Sequence, residues 1–214
     1  MTRAVLFDLD GTLADTAPDL GYAINRMRTA RGLPQLPLAI TRPVTSMGAR
    51  GLLSVGLDVA PEHPGYDTMR KEFLAIYADN LCRETRLFPG MSDLLTELER
   101  RAVLWGVVTN KAEGLTHPLL KLLDLHSRAA CIIGGDTTGK LKPDPASLLE
   151  ASRRIGIAPQ DCLYLGDDRR DVEAGRAAGM KVVVAGFGYL NGSDPATWNA
   201  DAIIKQPLDL LRHL

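Results

Sequence analysis

The chain opens on a short apolar run, Val5-Leu6-Phe7, that stops at Asp8 and is followed by Gly11. A run this short, with a β-branched and an aromatic residue and a turn signal behind it, predicts a buried strand. From about Asp15 to Leu87 the period changes. Ala23, Ile24, Met27 and Ala30 recur at helical spacing, as do Phe73, Leu74, Ile76, Tyr77 and Leu81. No strand pattern emerges here, and Pro34, Pro37, Pro43, Pro61 and Pro64 divide the stretch into helical pieces. Beyond Phe88-Pro89-Gly90 helices and strands alternate. A helix over Met91 to Arg101 precedes an apolar strand, Leu104 to Val108. A helix from about Gly114 to Leu123 precedes a strand, Ala129 to Ile133. A helix starting near Pro145 precedes the strand Cys162 to Leu165, and a helix over Val172 to Ala178 precedes the strand Lys181 to Ala185. A short strand, Ala202 to Ile204, and a C-terminal helix close the chain.

Strands alternating with helices predict a parallel sheet with helices on both faces. The strands are continuously apolar, which fits burial on both sides. The first strand therefore belongs with the second half of the chain. The expected fold class is α/β: a Rossmann-like parallel sheet from residues 1–14 and 86–214, with a helical insertion over 15–85. No internal repeat, low-complexity tract or flexible linker interrupts this scheme.

Composition adds limits. The 214 residues, 45% hydrophobic and 24% charged, can bury a sizeable core. The net charge of -1 disfavours nucleic acid as a partner, because that binding neutralises many phosphates. Cys82, Cys131 and Cys162 are too far apart for zinc spacing, cannot all pair, and suit a reducing cytosol. The first apolar run is broken by Asp8 and Asp10, unlike a signal peptide. No apolar stretch reaches the roughly 20 residues of a membrane span. The expectation is a cytoplasmic protein, a monomer or small homo-oligomer, with neither membrane nor nucleic acid as a partner.

In doubly wound sheets, ligands bind at the carboxyl ends of the strands. Here those ends are polar. The first strand runs into Asp8-Leu9-Asp10-Gly11-Thr12, the Leu104–Val108 strand into Thr109-Asn110-Lys111, and the Cys162–Leu165 strand into Gly166-Asp167-Asp168, with Asp171 a turn later. A loop before the Pro145 helix holds Lys142-Pro143-Asp144. Carboxylates at that density repel one another, and a hard divalent cation such as Mg²⁺ relieves them. A lysine, a threonine hydroxyl and backbone N–H groups can hold a phosphoryl oxyanion. One carboxylate can attack phosphorus and a second can shuttle the proton.

The run Asp8-Leu9-Asp10-Gly11-Thr12-Leu13 resembles the first motif of the haloacid dehalogenase (HAD) superfamily of phosphohydrolases. Thr109, Lys142 and Gly166-Asp167-Asp168 with Asp171 resemble its second, third and fourth motifs, in order. The helical insertion resembles that superfamily's C1-type cap. The resemblance implies Asp8 as nucleophile and Asp10 as general acid/base, with Thr109 and Lys142 holding the phosphoryl group. It also implies Mg²⁺ bound by Asp8, the Asp10 backbone carbonyl and Asp167, with Asp171 in support. The fourth motif often reads Gly-Asp-Ser, so Asp168 is open between supporting the site and capping a helix.

Within the superfamily the chain resembles the phosphoglycolate phosphatase group, and Leu104 to Lys111 and Gly186-Phe187-Gly188-Tyr189 also resemble the related N-acetylmuramic acid 6-phosphate phosphatases. Both substrates carry a carboxylate besides the phosphate. Arg50, after Gly48-Ala49 in a helical stretch expected to face the core, suits bidentate carboxylate binding. Thr109, Asn110, Lys142 and Arg50 are thus the candidate contacts to a small phosphate ester. A phosphomutase and a non-catalytic phosphate-binding regulator are the rival functions. The Gly134 to Lys140 segment fits most of a P-loop, but Leu141 stands where a hydroxyl is required.

Overall fold

A computed structural model describes residues 2–214. In chain order the elements are β1 (Ala4–Phe7), β2 (Ala14–Asp15), α1 (Ala17–Ala30), α2 (Leu38–Thr41), α3 (Gly48–Leu57), α4 (Tyr66–Ala78) and β3 (Arg86–Leu87). There follow α5 (Met91–Arg100), β4 (Leu104–Val108), α6 (Glu113–Leu122), β5 (Ile132–Ile133), α7 (Ala146–Ile155), β6 (Cys162–Gly166), α8 (Arg169–Ala177), β7 (Lys181–Ala185) and β8 (Ala202–Ile204).

Six strands form one parallel sheet in the order β5-β4-β1-β6-β7-β8. β1 lies between β4 and β6, and all four of its residues are buried. Its continuous apolar run still obeys the two-residue period of a strand. Val5 and Phe7 pack with Leu94, Leu98, Leu119 and Leu120 of α5 and α6. Ala4 and Leu6 join a second cluster with Leu148 and Ala151 of α7 and Ala174 of α8. Each fully buried leucine or phenylalanine contributes about 1.5–3 kcal/mol relative to exposure.

Register then sets the site. Phe7 pairs with Val107 on one side and Leu165 on the other. Because the strands are parallel, Asp8, Thr109 and Asp167 leave the sheet at the same edge. The ladder continues one step beyond β1, with Asp8 N donating to Leu165 O at 2.9 Å.

The four helices between β2 and β3 bury a core of their own, including Leu20, Ile24, Met27, Leu52, Phe73 and Tyr77. The chain enters and leaves this segment through an antiparallel ribbon pairing Ala14 with Leu87 and Asp15 with Arg86. The sequence pattern shows no strand there, because two-residue strands carry no period. Buried Asp19 closes the return, accepting from Glu84 N, from Thr85 N at 2.9 Å and from Thr85 Oγ1 at 2.7 Å.

Other expectations need correction. The strand expected over Ala129 to Ile133 shrinks to Ile132–Ile133, an edge strand with one neighbour. The expected C-terminal helix is a 3₁₀ segment, Pro207–Arg212. Helix α8 starts at Arg169 rather than Val172, because Asp168 caps it. Cys131 and Cys162 are buried, unpaired thiols. Among the described residues, no helix is long and apolar enough to cross a membrane.

Candidate active site

Lys142 is the hub of the sheet edge. Its Nζ lies 3.0 Å from Asp8 Oδ1 and 2.6 Å from Asp171 Oδ1, and donates to Tyr164 OH at 2.7 Å and Val108 O at 3.2 Å. An ammonium so deeply buried needs such partners. Burial works to neutralise Lys142, but the Asp171 and Asp8 carboxylates outweigh it and raise its pKa above the ordinary lysine value. Asn110 fixes the lysine's backbone, accepting from Lys142 N at 2.8 Å and donating to Lys142 O at 3.1 Å. The expected phosphoryl-holding lysine and the Asn110 carboxamide therefore form one unit.

The carboxylates of Asp8, Asp167 and Asp171 each offer an oxygen within 4.8 Å of the others, and all three are buried. Burial pushes Asp8 up to about 6; Lys142 opposes this, while Asp171 and Asp10 add to it. Burial also pushes Asp167 well above the ordinary carboxylate range, reinforced by Asp8 and Asp171. Three buried carboxylates against one buried ammonium leave an excess of negative charge when ionised. An all-oxygen donor set with that excess fits a hard divalent cation. Asp167 is held in place by Thr12 Oγ1 at 2.8 Å and by Tyr189 N at 2.9 Å.

Two glycines make the nest possible. Gly11 has φ of +87°, and a Cβ there would run into the Asp167 carboxylate. A Cβ on Gly166 would run into Asp171. Neither position tolerates a side chain without moving a carboxylate.

Asp10 stands apart from the three-carboxylate group. Its Oδ1 accepts from Thr16 Oγ1 at 2.6 Å and from Lys111 Nζ at 2.8 Å, and its Oδ2 lies 3.1 Å from the same ammonium. Lys111 is the partner that sequence reading passed over. It follows Thr109-Asn110 directly, which is its only signal in the chain. Burial disfavours its charge, yet Asp10 keeps its pKa raised. Thr109 is buried, and its hydroxyl accepts from Lys111 N at 3.2 Å, leaving its own proton to donate.

Asp168 is the α8 N-cap. It accepts from Arg170 N at 2.9 Å and Arg170 Nε at 2.8 Å, and Asp171 accepts from Asp168 N at 3.0 Å. Burial would raise the Asp168 pKa, but the Arg170 guanidinium keeps it below the ordinary value. Arg170 also donates to Ser46 O at 2.9 Å, linking α8 to the helical segment.

A cavity of about 680 Å³ lies between this edge and the helical segment, bounded by Asp8, Asp10 and Lys142 on one side and by Arg50, Phe73 and Tyr77 on the other. Arg50 is exposed, while its neighbour Ala49 takes the buried face of α3. Arg70 of α4 also borders the cavity.

A six-stranded parallel sheet whose first strand delivers Asp8 and Asp10 beside a buried lysine agrees with the comparison to known proteins. The family profile described as haloacid dehalogenase-like hydrolase matches residues 5–185. The chain belongs to the haloacid dehalogenase-like hydrolases. It is 46% identical to a phosphoglycolate phosphatase of Xanthomonas campestris pv. campestris, an alignment covering 97% of this chain and 94% of that protein. It is 40% identical to an N-acetylmuramic acid 6-phosphate phosphatase of Pseudomonas putida, covering 97% and 94%. The structure resembles that of a Haemophilus somnus protein described as a predicted phosphoglycolate phosphatase, with a TM-score of 0.88, 27% identity, and coverage of 99% and 97%.

Proposed function

We propose that this hydrolase is a Mg²⁺-dependent phosphomonoesterase of the phosphoglycolate phosphatase type, working in the cytoplasm through an aspartyl-phosphate on Asp8. The observation that carries this reading is Asp8 beside the Lys142 ammonium, in a buried carboxylate nest that opens onto a cavity. Residues 1–14 and 86–214 would be the catalytic core and residues 15–85 a cap. A bound Mg²⁺, held by Asp8, Asp167 and the Asp10 backbone carbonyl, would supply the positive charge that keeps Asp8 ionised and draws in the phosphoryl oxygens.

Asp8 attacks phosphorus in line, forming a phosphorus–oxygen bond as the ester bond to the leaving oxygen breaks. Asp10 gives its proton to that oxygen, then takes one from the water that releases phosphate from Asp8. Lys142 and the Thr109 hydroxyl hold phosphoryl oxygens. Asn110 holds Lys142 in place. Arg50, at the far side of the cavity, holds a carboxylate on the leaving group.

One observation favours the N-acetylmuramic acid 6-phosphate reading as the alternative. A cavity of about 680 Å³ is far roomier than a two-carbon acid requires. Phosphate release across a panel containing both esters tests the proposal. Mg²⁺-dependent release from either supports it and ranks the two, whereas no release from any phosphomonoester refutes it.

A further inference from the structure

Tyr77 carries an unexplained polar group. Its ring packs in the helical core with Leu20, Met27 and Phe73, and it is 1% exposed. Three buried side-chain polar atoms lack a hydrogen-bond partner among the described residues, and of these only the Tyr77 hydroxyl belongs to a residue bordering the cavity. A phenylalanine would fill the same space without burying an unsatisfied hydroxyl. Tyr77 faces Lys111 across the boundary between segments, with Lys111 Nζ 4.6 Å from the ring centroid. That ammonium donates to Asp10, and the Tyr77 hydroxyl, though outside hydrogen-bond distance, stands near enough to help hold its charge. An ammonium has three donors. Tyr77 and Lys111 thus both border the cavity beside Asp10, and together they hold a buried O–H and spare N–H groups at its wall.

We propose that the Tyr77 hydroxyl and the Lys111 ammonium form a donor subsite for an oxygen acceptor on the leaving group, a carboxylate or hydroxyl within a few bonds of the ester oxygen. The subsite rests on the phosphomonoesterase reading and deepens it, because the Lys111 contact with Asp10, and Tyr77 beside Lys111, put the pair near the departing oxygen. It differs from the Arg50 contact in position and in donors. Lys111 comes from the loop after β4 and Tyr77 from α4, so the subsite is complete only when sheet edge and helical segment meet.

The test is Tyr77→Phe, which removes one oxygen and keeps the packing. Steady-state kinetics would be measured on phosphoglycolate, glycerol 3-phosphate, N-acetylmuramic acid 6-phosphate and p-nitrophenyl phosphate, which has no acceptor near its ester oxygen. The expected result is a roughly tenfold lower kcat/KM on the oxygen-bearing esters that the wild type hydrolyses, and a several-fold smaller loss on p-nitrophenyl phosphate. A loss on phosphoglycolate but not on glycerol 3-phosphate identifies the acceptor as a carboxylate; a loss on both identifies any oxygen. Tm should not fall, since the hydroxyl satisfies nothing inside the free protein. An equal loss on every ester, no loss on the oxygen-bearing ones, or a Tm lowered by more than about 3 °C would overturn the subsite. A wild type that hydrolyses none of the four would instead refute the phosphomonoesterase reading itself, and the subsite with it.

Discussion

The two walls of the cavity are built on opposite terms. At the sheet edge the principal charged groups hold one another: Lys142 with Asp8 and Asp171, Asp167 with Thr12 and the Tyr189 backbone, Asp10 with Lys111 and Thr16. Across the cavity, Arg50 and Arg70 are in no ion pair among the described residues, and the Tyr77 hydroxyl has no partner within hydrogen-bond distance. A wall whose carboxylates are all partnered is rigid and suited to charge developing at a fixed point. A wall with free donors is suited to a ligand that brings the acceptors. On the proposed function, the contrast teaches that the chemistry sits at the sheet edge, while selection draws on the helical segment together with Lys111 at the boundary.

The comparison breaks most completely at the carboxylate nest. Exhaustive chelation by EDTA should abolish phosphate release and added Mg²⁺ should restore it. Ca²⁺ should not, because its larger and looser shell suits the in-line geometry less well. Full activity after chelation would refute the metal assignment.

Lys142→Met comes next. It leaves Asp171 and Asp8 buried without their ammonium, which costs about 3–5 kcal/mol of stability by analogy with other broken buried pairs. Thermal unfolding should show a clear drop in Tm, and kcat should fall by about a hundredfold or more as a phosphoryl contact is lost. An unchanged Tm would mean that the hub is dispensable.

On the opposite wall the effects should be smaller and substrate-dependent. Arg50→Ala should lower kcat/KM for carboxylate-bearing esters by about ten- to a hundredfold, from the roughly 1.5–3 kcal/mol of a charged hydrogen bond. The loss on p-nitrophenyl phosphate should be slight. Equal effects on both substrate types would remove Arg50 from selection.

The smallest effect sharpens the division. Asn110 spends its carboxamide on the Lys142 backbone. Asn110→Ala should therefore lower kcat by about three- to tenfold, at roughly 1 kcal/mol per neutral hydrogen bond, and leave KM close to wild type. A change confined to KM would make Asn110 a direct substrate contact instead.

The same division governs what could be read from the chain. The strands Leu104–Val108, Lys181–Ala185 and Ala202–Ile204 were legible because apolar runs end at turn residues. The polar ends of β1, β4 and β6, which are Asp8, Thr109 and Asp167, followed from parallel pairing alone. The Asp168 cap was open, because an aspartate before a helix reads the same whether it caps or supports a site. The ribbon of β2 and β3 was invisible, since it exists only through pairing across 71 positions between Asp15 and Arg86. Tyr77 read as core by its helical spacing, and it is core. The role proposed for it rests on its unpartnered hydroxyl, its place at the cavity and Lys111 above its ring. Spacing along one helix cannot show what a second segment places opposite.

The central claim is that Asp8 is the covalent nucleophile on a prearranged wall. It is tested most directly by Asp8→Asn, assayed beside the wild type for Mg²⁺-dependent phosphate release. The substitution keeps the shape and removes one charge from a crowded nest, so the fold should survive with an unchanged or higher Tm. Turnover should fall by at least about a thousandfold, because no other group can form the covalent intermediate. Phosphate release at close to the wild-type rate from a folded Asp8→Asn protein would contradict the account.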